Sequence, residues 1–173
     1  MSFSKKLLAA SRLAVKAHDQ QRRKGVDEPY VVHPLRVAEI VSSVSLLAGI
    51  SREHCIFAAI LHDVLEDSEK FTRDELQRDF GAEVAEIVEE LTQDKKLPKA
   101  ERRRQMLEHC GTLSPAAQVV KLADRLDNMR EMNGLGEEFI QRYCKEAREM
   151  LKNMRGACPE LEKEIARLIK VYS

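Results

Sequence analysis

Apolar residues recur at intervals of three and four along most of the chain, the spacing that places them on one face of an α-helix. The first such stripe consists of Phe3, Leu7, Ala10 and Ala14. It predicts a helix that ends near Lys24 and Gly25, where the glycine can close it. Because glycine and proline are scarce and β-branched runs are short, the pattern predicts an all-α chain.

Capping residues and prolines mark where several helices begin. Pro34 suits a first helical position, and Ser51 suits the N-cap of the following helix. Thr72 and Glu75 have the spacing of a capping box, which predicts a short helix that stops near Gly81.

Ser114 and Pro115 begin a long helix near the middle of the second half of the chain. Its apolar face consists of Val119, Leu122, Ala123, Leu126 and Met129. Two further helices, divided near Gly156 and Pro159, complete the chain. We find no repeat, linker or low-complexity tract, so we expect about eight to ten helices in a single domain, residues 1–173.

Composition narrows the class of protein further. The 173 residues are enough for one hydrophobic core, and 29 acidic residues balance 29 basic ones. No net charge therefore attracts the chain to nucleic acid or to an anionic membrane. The four cysteines form no CxxC pair, which argues against a disulfide framework or a cysteine zinc site and favours a reducing compartment.

Membrane insertion and secretion are not expected. No apolar run approaches the roughly 20 residues that span a bilayer, and no secretory signal is visible. We therefore expect a cytoplasmic protein. The basic, amphipathic residues 1–18 are also similar to a mitochondrial presequence, but we favour a structural first helix. Apolar helix faces can serve a core or a second copy, so homo-oligomerisation stays open.

A polar cluster ends the apolar segment "AAILHDVLED". It consists of His62, Asp63, Glu66 and Asp67. Dehydrating such groups is costly unless they bind something. Residues four apart share a helix face, and neighbours differ by about 100°, so all four can address one cavity. Carboxylates near a helix C-terminus oppose the helix dipole, and this placement favours a functional role.

An imidazole next to a carboxylate offers nitrogen and oxygen ligands that suit manganese, iron or zinc. Two ligands, here His62 and Asp63, rarely suffice. Further candidates are Asp124, which lies outside the apolar stripe of its helix, and His33, which can also simply cap its own helix.

Each candidate also has a purely structural interpretation. His62 can be a core histidine bound to a backbone carbonyl, with Asp63 as its partner. Asp124 can pair with Lys121 or with Asn128, one turn away on the same helix. For most of these residues, taken singly, the structural interpretation is favoured.

Four segments taken together change this balance. In chain order they are "RRKGVDEPYVVHPLRVAEI", "AAILHDVLED", "FGAEVAEIVEELTQDKKLPKAERR" and "VKLADRLDNMR". From about His18 to Met132, the chain resembles the hydrolase domain of RelA/SpoT-type alarmone enzymes, within the HD phosphohydrolase superfamily. The likeness is closest to the small single-domain alarmone hydrolases, because the chain leaves no room for a synthetase domain.

The resemblance implies an all-helical bundle, the HD-domain fold, that binds a divalent metal, usually manganese. The family holds this metal with the pattern H, HD and D. Those positions are His33, His62, Asp63 and Asp124 in this chain.

The resemblance also assigns roles around the metal. Glu66 and Asp67 match the acidic pair to which the family assigns water activation and proton transfer. Arg23, Lys24 and Asn128 match positions that contact the nucleotide. Because two of these residues end the first helix, removal of that helix as a presequence would endanger the nucleotide pocket.

One residue departs from the family pattern. The position before Asn128 is commonly histidine or tyrosine, and here it is Asp127. This extra negative charge either points away from the site or alters substrate preference, and Arg125 and Arg130 could offset it. Further phosphate contacts could come from Lys95, Lys96, Lys99, Arg102, Arg103 and Arg104, although we expect most of these to be solvated.

The implied activity is manganese-dependent hydrolysis of guanosine 3′,5′-bispyrophosphate or its pentaphosphate relative at the 3′ position. This reaction releases pyrophosphate and returns GDP or GTP. The implied partner is thus a small nucleotide, and the absence of a GxxxxGK[ST] loop argues against a kinase or P-loop NTPase. Two alternatives stay open: an HD phosphohydrolase for another ribose-phosphorylated nucleotide, such as an adenosine alarmone, or a non-catalytic nucleotide-binding module. The intact Glu66 and Asp67 count against the second.

Overall fold

The computed structural model describes residues 2–23, 27–68 and 70–173. These ranges contain ten α-helices and no strand, only an isolated antiparallel bridge between Arg22 and Pro29, so the predicted all-α class is confirmed. The helices are α1 (Phe3–Ala17), α2 (Val32–Ser43), α3 (Arg52–Leu61), α4 (Val64–Asp67), α5 (Arg73–Phe80), α6 (Ala82–Leu91), α7 (Lys99–His109), α8 (Pro115–Arg130), α9 (Glu137–Asn153) and α10 (Pro159–Val171). None of the described helices has the length and apolar character that crossing a membrane requires.

Local capping explains where several helices begin. The Ser51 side chain accepts a hydrogen bond from the His54 backbone N–H at 3.3 Å. Thr72 and Glu75 form the complete capping box at the start of α5, and Ser114 caps α8. These predicted starts are confirmed, because each depends on contacts within one turn of the chain.

Four helices form the centre of the molecule. Helices α2, α3, α6 and α8 pack against one another, with α1 against α3, α5 against α6, and α10 against α8 and α9. The predicted apolar face of α8 is entirely buried. All four cysteines are buried and free.

The first helix ends earlier than the apolar pattern predicted. It stops at Ala17, and Gln20 follows with a left-handed φ of 62° that a continuing helix does not allow. The chain then turns back on itself, because Arg23 N–H donates to Glu28 O at 3.0 Å. Tyr30 N–H donates to the Gln21 carbonyl at 2.9 Å in the same pairing. This pairing sets Arg23 and Tyr30 side by side at the edge of the bundle.

Two other helix boundaries also differ from prediction. Helix α2 begins at Val32, so Pro34 occupies its third position rather than its first. The segment around the HD pair is broken rather than continuous, since α3 ends at Leu61 and α4 begins at Val64. The break places His62 and Asp63 at a junction between two helices, where His62 lies next to His33 of α2 and Asp124 of α8.

Candidate metal and nucleotide site

Three of the predicted ligands meet where α2, α3 and α8 approach one another. His33, His62 and Asp124 each offer an atom within 4.8 Å of the other two. The Asp124 Oδ1 atom lies 3.2 Å from His33 Nε2 and 4.0 Å from His62 Nε2. Both histidines are buried, so the cluster has little access to water except beside Asp124.

Hydrogen bonds fix the orientation of both imidazole rings. His62 Nδ1 donates to the Ala59 carbonyl at 2.7 Å, and His33 Nδ1 donates to Asp127 Oδ2, also at 2.7 Å. The two Nε2 atoms are therefore left to face Asp124. Among the described residues, buried His62 Nε2 has no hydrogen-bond partner, an arrangement that costs about 1–3 kcal/mol unless a ligand binds it. Two imidazole nitrogens and a carboxylate fit a divalent ion.

Asp63, the fourth predicted ligand, stands beside this group. Its Oδ2 atom lies 3.0 Å from His62 Nε2 without hydrogen-bond geometry, and it accepts a hydrogen bond from the Tyr30 hydroxyl at 2.6 Å. Burial, followed by the charge of Asp63, raises the pKa of Tyr30, so its hydroxyl stays a neutral donor. Tyr30 thus holds the Asp63 carboxylate at the edge of the cluster.

The charges of the cluster favour protonated histidines when no cation is bound. Burial opposes a charge on His62, but Asp63 and Asp124 outweigh it and raise its pKa to about 9. Burial likewise opposes a charge on His33, and its hydrogen bonds to Asp124 and Asp127 raise its pKa. A cation that binds here must therefore displace protons.

Asp127, the departure from the family pattern, is buried. It contacts His33 at Nδ1, the ring nitrogen that does not face Asp124. Arg36 Nε donates to its Oδ1 atom at 2.8 Å, and Arg36 also pairs with Glu28 and Glu131. Burial alone would raise the pKa of Asp127, but its hydrogen bonds to His33 and Arg36 lower it. Its charge is therefore matched within the helix bundle.

The expected compensation by Arg125 and Arg130 is wrong. Arg130 is exposed, and Arg125 lies against Tyr143 and Glu146 instead. Arg36 takes that role because α2 packs directly against α8. Asp127 is 94 residues from His33 in sequence, so no local pattern could have revealed this contact.

The predicted acidic pair follows the break and forms the end of α4, which is a single turn. Glu66 accepts from the Gln93 backbone N–H at 3.2 Å and from Arg102 Nη1 at 3.3 Å. Burial, followed by the charge of Asp63, raises the pKa of Glu66. Asp67 forms an ion pair with Lys95. Two cations of the predicted basic surface therefore reach the acidic pair.

Arg104, by contrast, lies on the exposed face of α7. It pairs with Glu101 and Glu108 within its own helix. For this residue the expectation of a solvated surface holds.

A cavity of about 550 Å³ opens beside the cluster and is large enough for a nucleotide. Arg23 Nη1 donates to Asn128 Oδ1 at 3.0 Å, and Asn128 Nδ2 donates to Asp124 Oδ1 at 2.5 Å. Arg23 also pairs with Glu131 at 2.6 Å. The cavity is lined by Arg23, Tyr30, Asp67, Lys95, Asn128, Glu131, Leu135, Phe139 and Tyr143, among others. Two predicted nucleotide contacts therefore line it, whereas Lys24 lies outside the described residues.

His18 was given only a structural role by the sequence, yet it lies at this site. It is buried, its ring centroid is 4.8 Å from that of Tyr30, and its Nδ1 atom is 3.7 Å from Asp67 Oδ2. Tyr30, Arg36 and Asp127 were missed as structural partners of the cluster. Tyr30 could have been suspected from its place in the "PYVVHP" block, but the other residues carry no comparable local signal.

Comparison with known proteins agrees with this geometry. The model of the HD domain family matches residues 10–152, so the chain belongs to the HD domain family, and its fold implies dependence on a divalent metal. It is 41% identical to guanosine-3′,5′-bis(diphosphate) 3′-pyrophosphohydrolase MESH1 of Mus musculus, covering 98% of this chain and 96% of that protein.

Two further similarities extend the comparison. A solved structure described as a metazoan ortholog of SpoT that hydrolyzes ppGpp superposes with a TM-score of 0.85 at 34% identity, over 96% of this chain and 94% of that one. The guanosine-3′,5′-bis(diphosphate) 3′-pyrophosphohydrolase of Haemophilus influenzae is 35% identical over 80% of this chain, which spans only 20% of that longer protein.

Proposed function

We propose that this protein is a metal-dependent hydrolase that removes pyrophosphate from the 3′ position of guanosine 3′,5′-bispyrophosphate or its pentaphosphate relative, leaving GDP or GTP. The observation that carries the proposal is the convergence of two histidine Nε2 atoms and the Asp124 carboxylate beside a nucleotide-sized cavity, to which Asn128 connects them. The mouse relative named for this reaction is similar over nearly its whole length, which supports the choice of substrate.

Manganese is the proposed metal, held by His33, His62 and Asp124 with Asp63 alongside. Mixed imidazole and carboxylate donors suit this ion. When bound, a divalent ion lowers the pKa of water at the site and offsets negative charge on the attacked phosphoryl group.

Glu66 and Asp67 are the proposed proton-handling residues. The raised pKa of Glu66 brings it closer to neutrality, where a carboxylate exchanges protons most effectively with water. Gln93 and Arg102 hold Glu66 in place, and Lys95 holds Asp67. In this account the pair orients the attacking water and passes a proton toward the leaving ribose oxygen.

Arg23, Asn128 and the neighbouring Lys24 are the proposed nucleotide contacts. Arg23 is oriented in advance by Glu131 and Asn128, so its planar guanidinium can stack on a base without losing further side-chain freedom. We also propose that residues 1–173 act as one HD-type domain in the cytoplasm.

A panel of nucleotides tests this function. Purified protein is incubated with Mn²⁺ and with guanosine 3′,5′-bispyrophosphate, its adenosine counterpart, or a guanosine nucleotide with a single 3′ phosphate. We expect the first substrate to give the highest kcat/KM and to release pyrophosphate. A higher kcat/KM for the adenosine compound would show that the proposed substrate is wrong. Release of monophosphate alone would show that the proposed reaction is wrong.

A further inference from the structure

A second, smaller recess opens on the other side of Asp124, between α7, α8 and α9. Its volume is about 270 Å³, and it shares Phe139 and Tyr143 with the nucleotide cavity. Asp124, a member of the metal cluster, also lines the recess, so a ligand bound at the cluster lies next to it.

Positive charge dominates this recess. It is lined by four cations, Arg103, Lys121, Arg125 and Arg142, and by two carboxylates, Asp124 and Glu146. Two positive charges are thus in excess in a chain with no net charge. Such a local excess favours an anion.

The three arginines have little to bind in the absence of a ligand. Arg103, Arg125 and Arg142 approach buried Glu146 at 3.6, 3.6 and 3.8 Å. These distances are longer than ordinary charge-assisted hydrogen bonds. Within the described ranges, buried Arg125 Nη1 has no hydrogen-bond partner.

Arg125 is nevertheless held firmly. Its guanidinium lies 3.8 Å from the Tyr143 ring centroid, and only 6% of its side chain is exposed. A buried charged donor without a hydrogen bond is costly, so an acceptor that a ligand supplied would stabilise this arrangement. Phosphate oxygens match the arginine donors in both charge and geometry.

In contrast to the recess arginines, Arg23 and Lys95 of the nucleotide cavity already have close partners within the protein. Arg23 is bound by Asn128 and Glu131, and Lys95 is paired with Asp67. A nucleotide with two diphosphate groups carries more negative charge than these residues and one metal ion can offset. The recess supplies the additional charge.

We propose that this recess, formed around Arg103, Arg125 and Arg142, binds a phosphate of a diphosphate group of the nucleotide. The proposal rests on the proposed function for the identity of its ligand. The phosphate belongs either to the outer end of the 3′ diphosphate or to the 5′ diphosphate, and both have the same chemistry.

The test compares two recess arginines, Arg103 on α7 and Arg142 on α9, with Arg104, the neighbour of Arg103 on α7. The double variant Arg103→Gln with Arg142→Gln removes two partly exposed cations of the recess. Arg104→Gln is the matched control, since Arg104 lies on the exposed face and pairs with Glu101 and Glu108. Thermal unfolding of each variant first establishes that it folds as the wild type does.

Binding of inorganic pyrophosphate to the metal-free protein is measured by calorimetry. We expect the double variant to weaken binding by about ten-fold or more, as loss of charge-assisted contacts does. The Arg104→Gln variant should bind as the wild type does. Glu146→Gln should bind more tightly, because it removes the competing carboxylate. Wild-type pyrophosphate affinity in the double variant would overturn the proposal.

Turnover with Mn²⁺ identifies which phosphate is bound. The double variant is assayed with guanosine 3′,5′-bispyrophosphate and with a substrate that keeps the 3′ diphosphate but has only one 5′ phosphate. An equal loss of kcat/KM on both assigns the recess to the 3′ group, and a loss confined to the first assigns it to the 5′ group. If the wild type is active and the double variant has the same kcat/KM, the proposal for the recess is wrong and the proposed function stands. If the wild type hydrolyses neither substrate but the double variant binds pyrophosphate more weakly, the proposed function is wrong and the proposal for the recess stands.

Discussion

At the scale of single residues, the metal cluster depends on which nitrogen of each histidine is already occupied. His62 uses Nδ1 on the Ala59 carbonyl, and His33 uses Nδ1 on Asp127, so both present Nε2 to Asp124. Partners of this kind fix the tautomer and orientation of metal-binding histidines. We therefore expect Asp127 to affect metal binding through His33, which it contacts directly, rather than through the substrate.

Replacing Asp127 tests this role. Asp127→Leu should weaken Mn²⁺ binding by about 10–100-fold, the usual cost of losing such a partner. Asp127→Asn keeps an acceptor for His33 Nδ1, so we expect a smaller loss of Mn²⁺ affinity. The readout is Mn²⁺ affinity measured by calorimetry, with Asp79→Asn, a surface carboxylate paired with Arg78, as control. Unchanged affinity in Asp127→Leu would contradict the assignment.

The same histidines predict how metal affinity depends on pH. Without metal, His62 has a pKa of about 9 and is largely protonated at neutral pH, and the pKa of His33 is raised in the same direction. A raised pKa favours the proton, and the metal must displace it. The apparent Mn²⁺ affinity should therefore rise from pH 6.5 to about pH 9.

Proton release on Mn²⁺ binding provides the direct check. Calorimetry at neutral pH in two buffers with different enthalpies of ionisation reports the number of protons displaced. We expect a net release, and equal heats in both buffers would count against protonated histidines in the metal-free protein.

At the scale of elements, the break between α3 and α4 places the acidic pair. A continuous helix would carry Glu66 and Asp67 onward along the axis of α3, whereas the break turns them toward Gln93 and Lys95. The pair is thereby held beside the cluster but outside its group of mutually close ligand atoms. Loss of the pair should therefore affect the reaction more than metal binding.

Glu66→Gln tests this separation. We expect kcat to fall by about 10²–10⁴-fold, the usual contribution of a general acid or base. Mn²⁺ affinity should stay near that of the wild type. Glu89→Gln, an exposed carboxylate paired with Arg73, is the control. Near-normal turnover when both Glu66 and Asp67 are replaced would disprove the proposed mechanism.

Local sequence signals predicted some elements well and others poorly. The capping box at Thr72 and the start of α8 at Ser114 depend on neighbours within one turn, so the sequence alone is enough. The end of α1 and the break at His62 depend on distant contacts. Tyr30, for example, holds Asp63 from 33 residues away. Apolar periodicity carries no information on such contacts.

At the scale of the whole molecule, folding gathers the acidic and the basic side chains of a neutral chain into separate regions. Acidic and basic residues are equal in number, yet the structure sets a cluster of carboxylates around Asp124 next to a basic recess. The net charge of the chain argued against attraction to nucleic acid but could not reveal this separation of charge. The order of His33, the HD pair and Asp124 predicted a shared site, and the packing of α2, α3 and α8 brings His33, His62 and Asp124 together.

The most direct test of the central claim is a paired measurement on the wild type and on Asp124→Asn. Bound Mn²⁺ and pyrophosphate release from guanosine 3′,5′-bispyrophosphate are determined on the same samples. We expect the wild type to bind one ion per chain and to release pyrophosphate, and the variant to lose both together, because Asp124 lies between the two histidines. A variant that retains wild-type Mn²⁺ affinity and turnover would contradict the account.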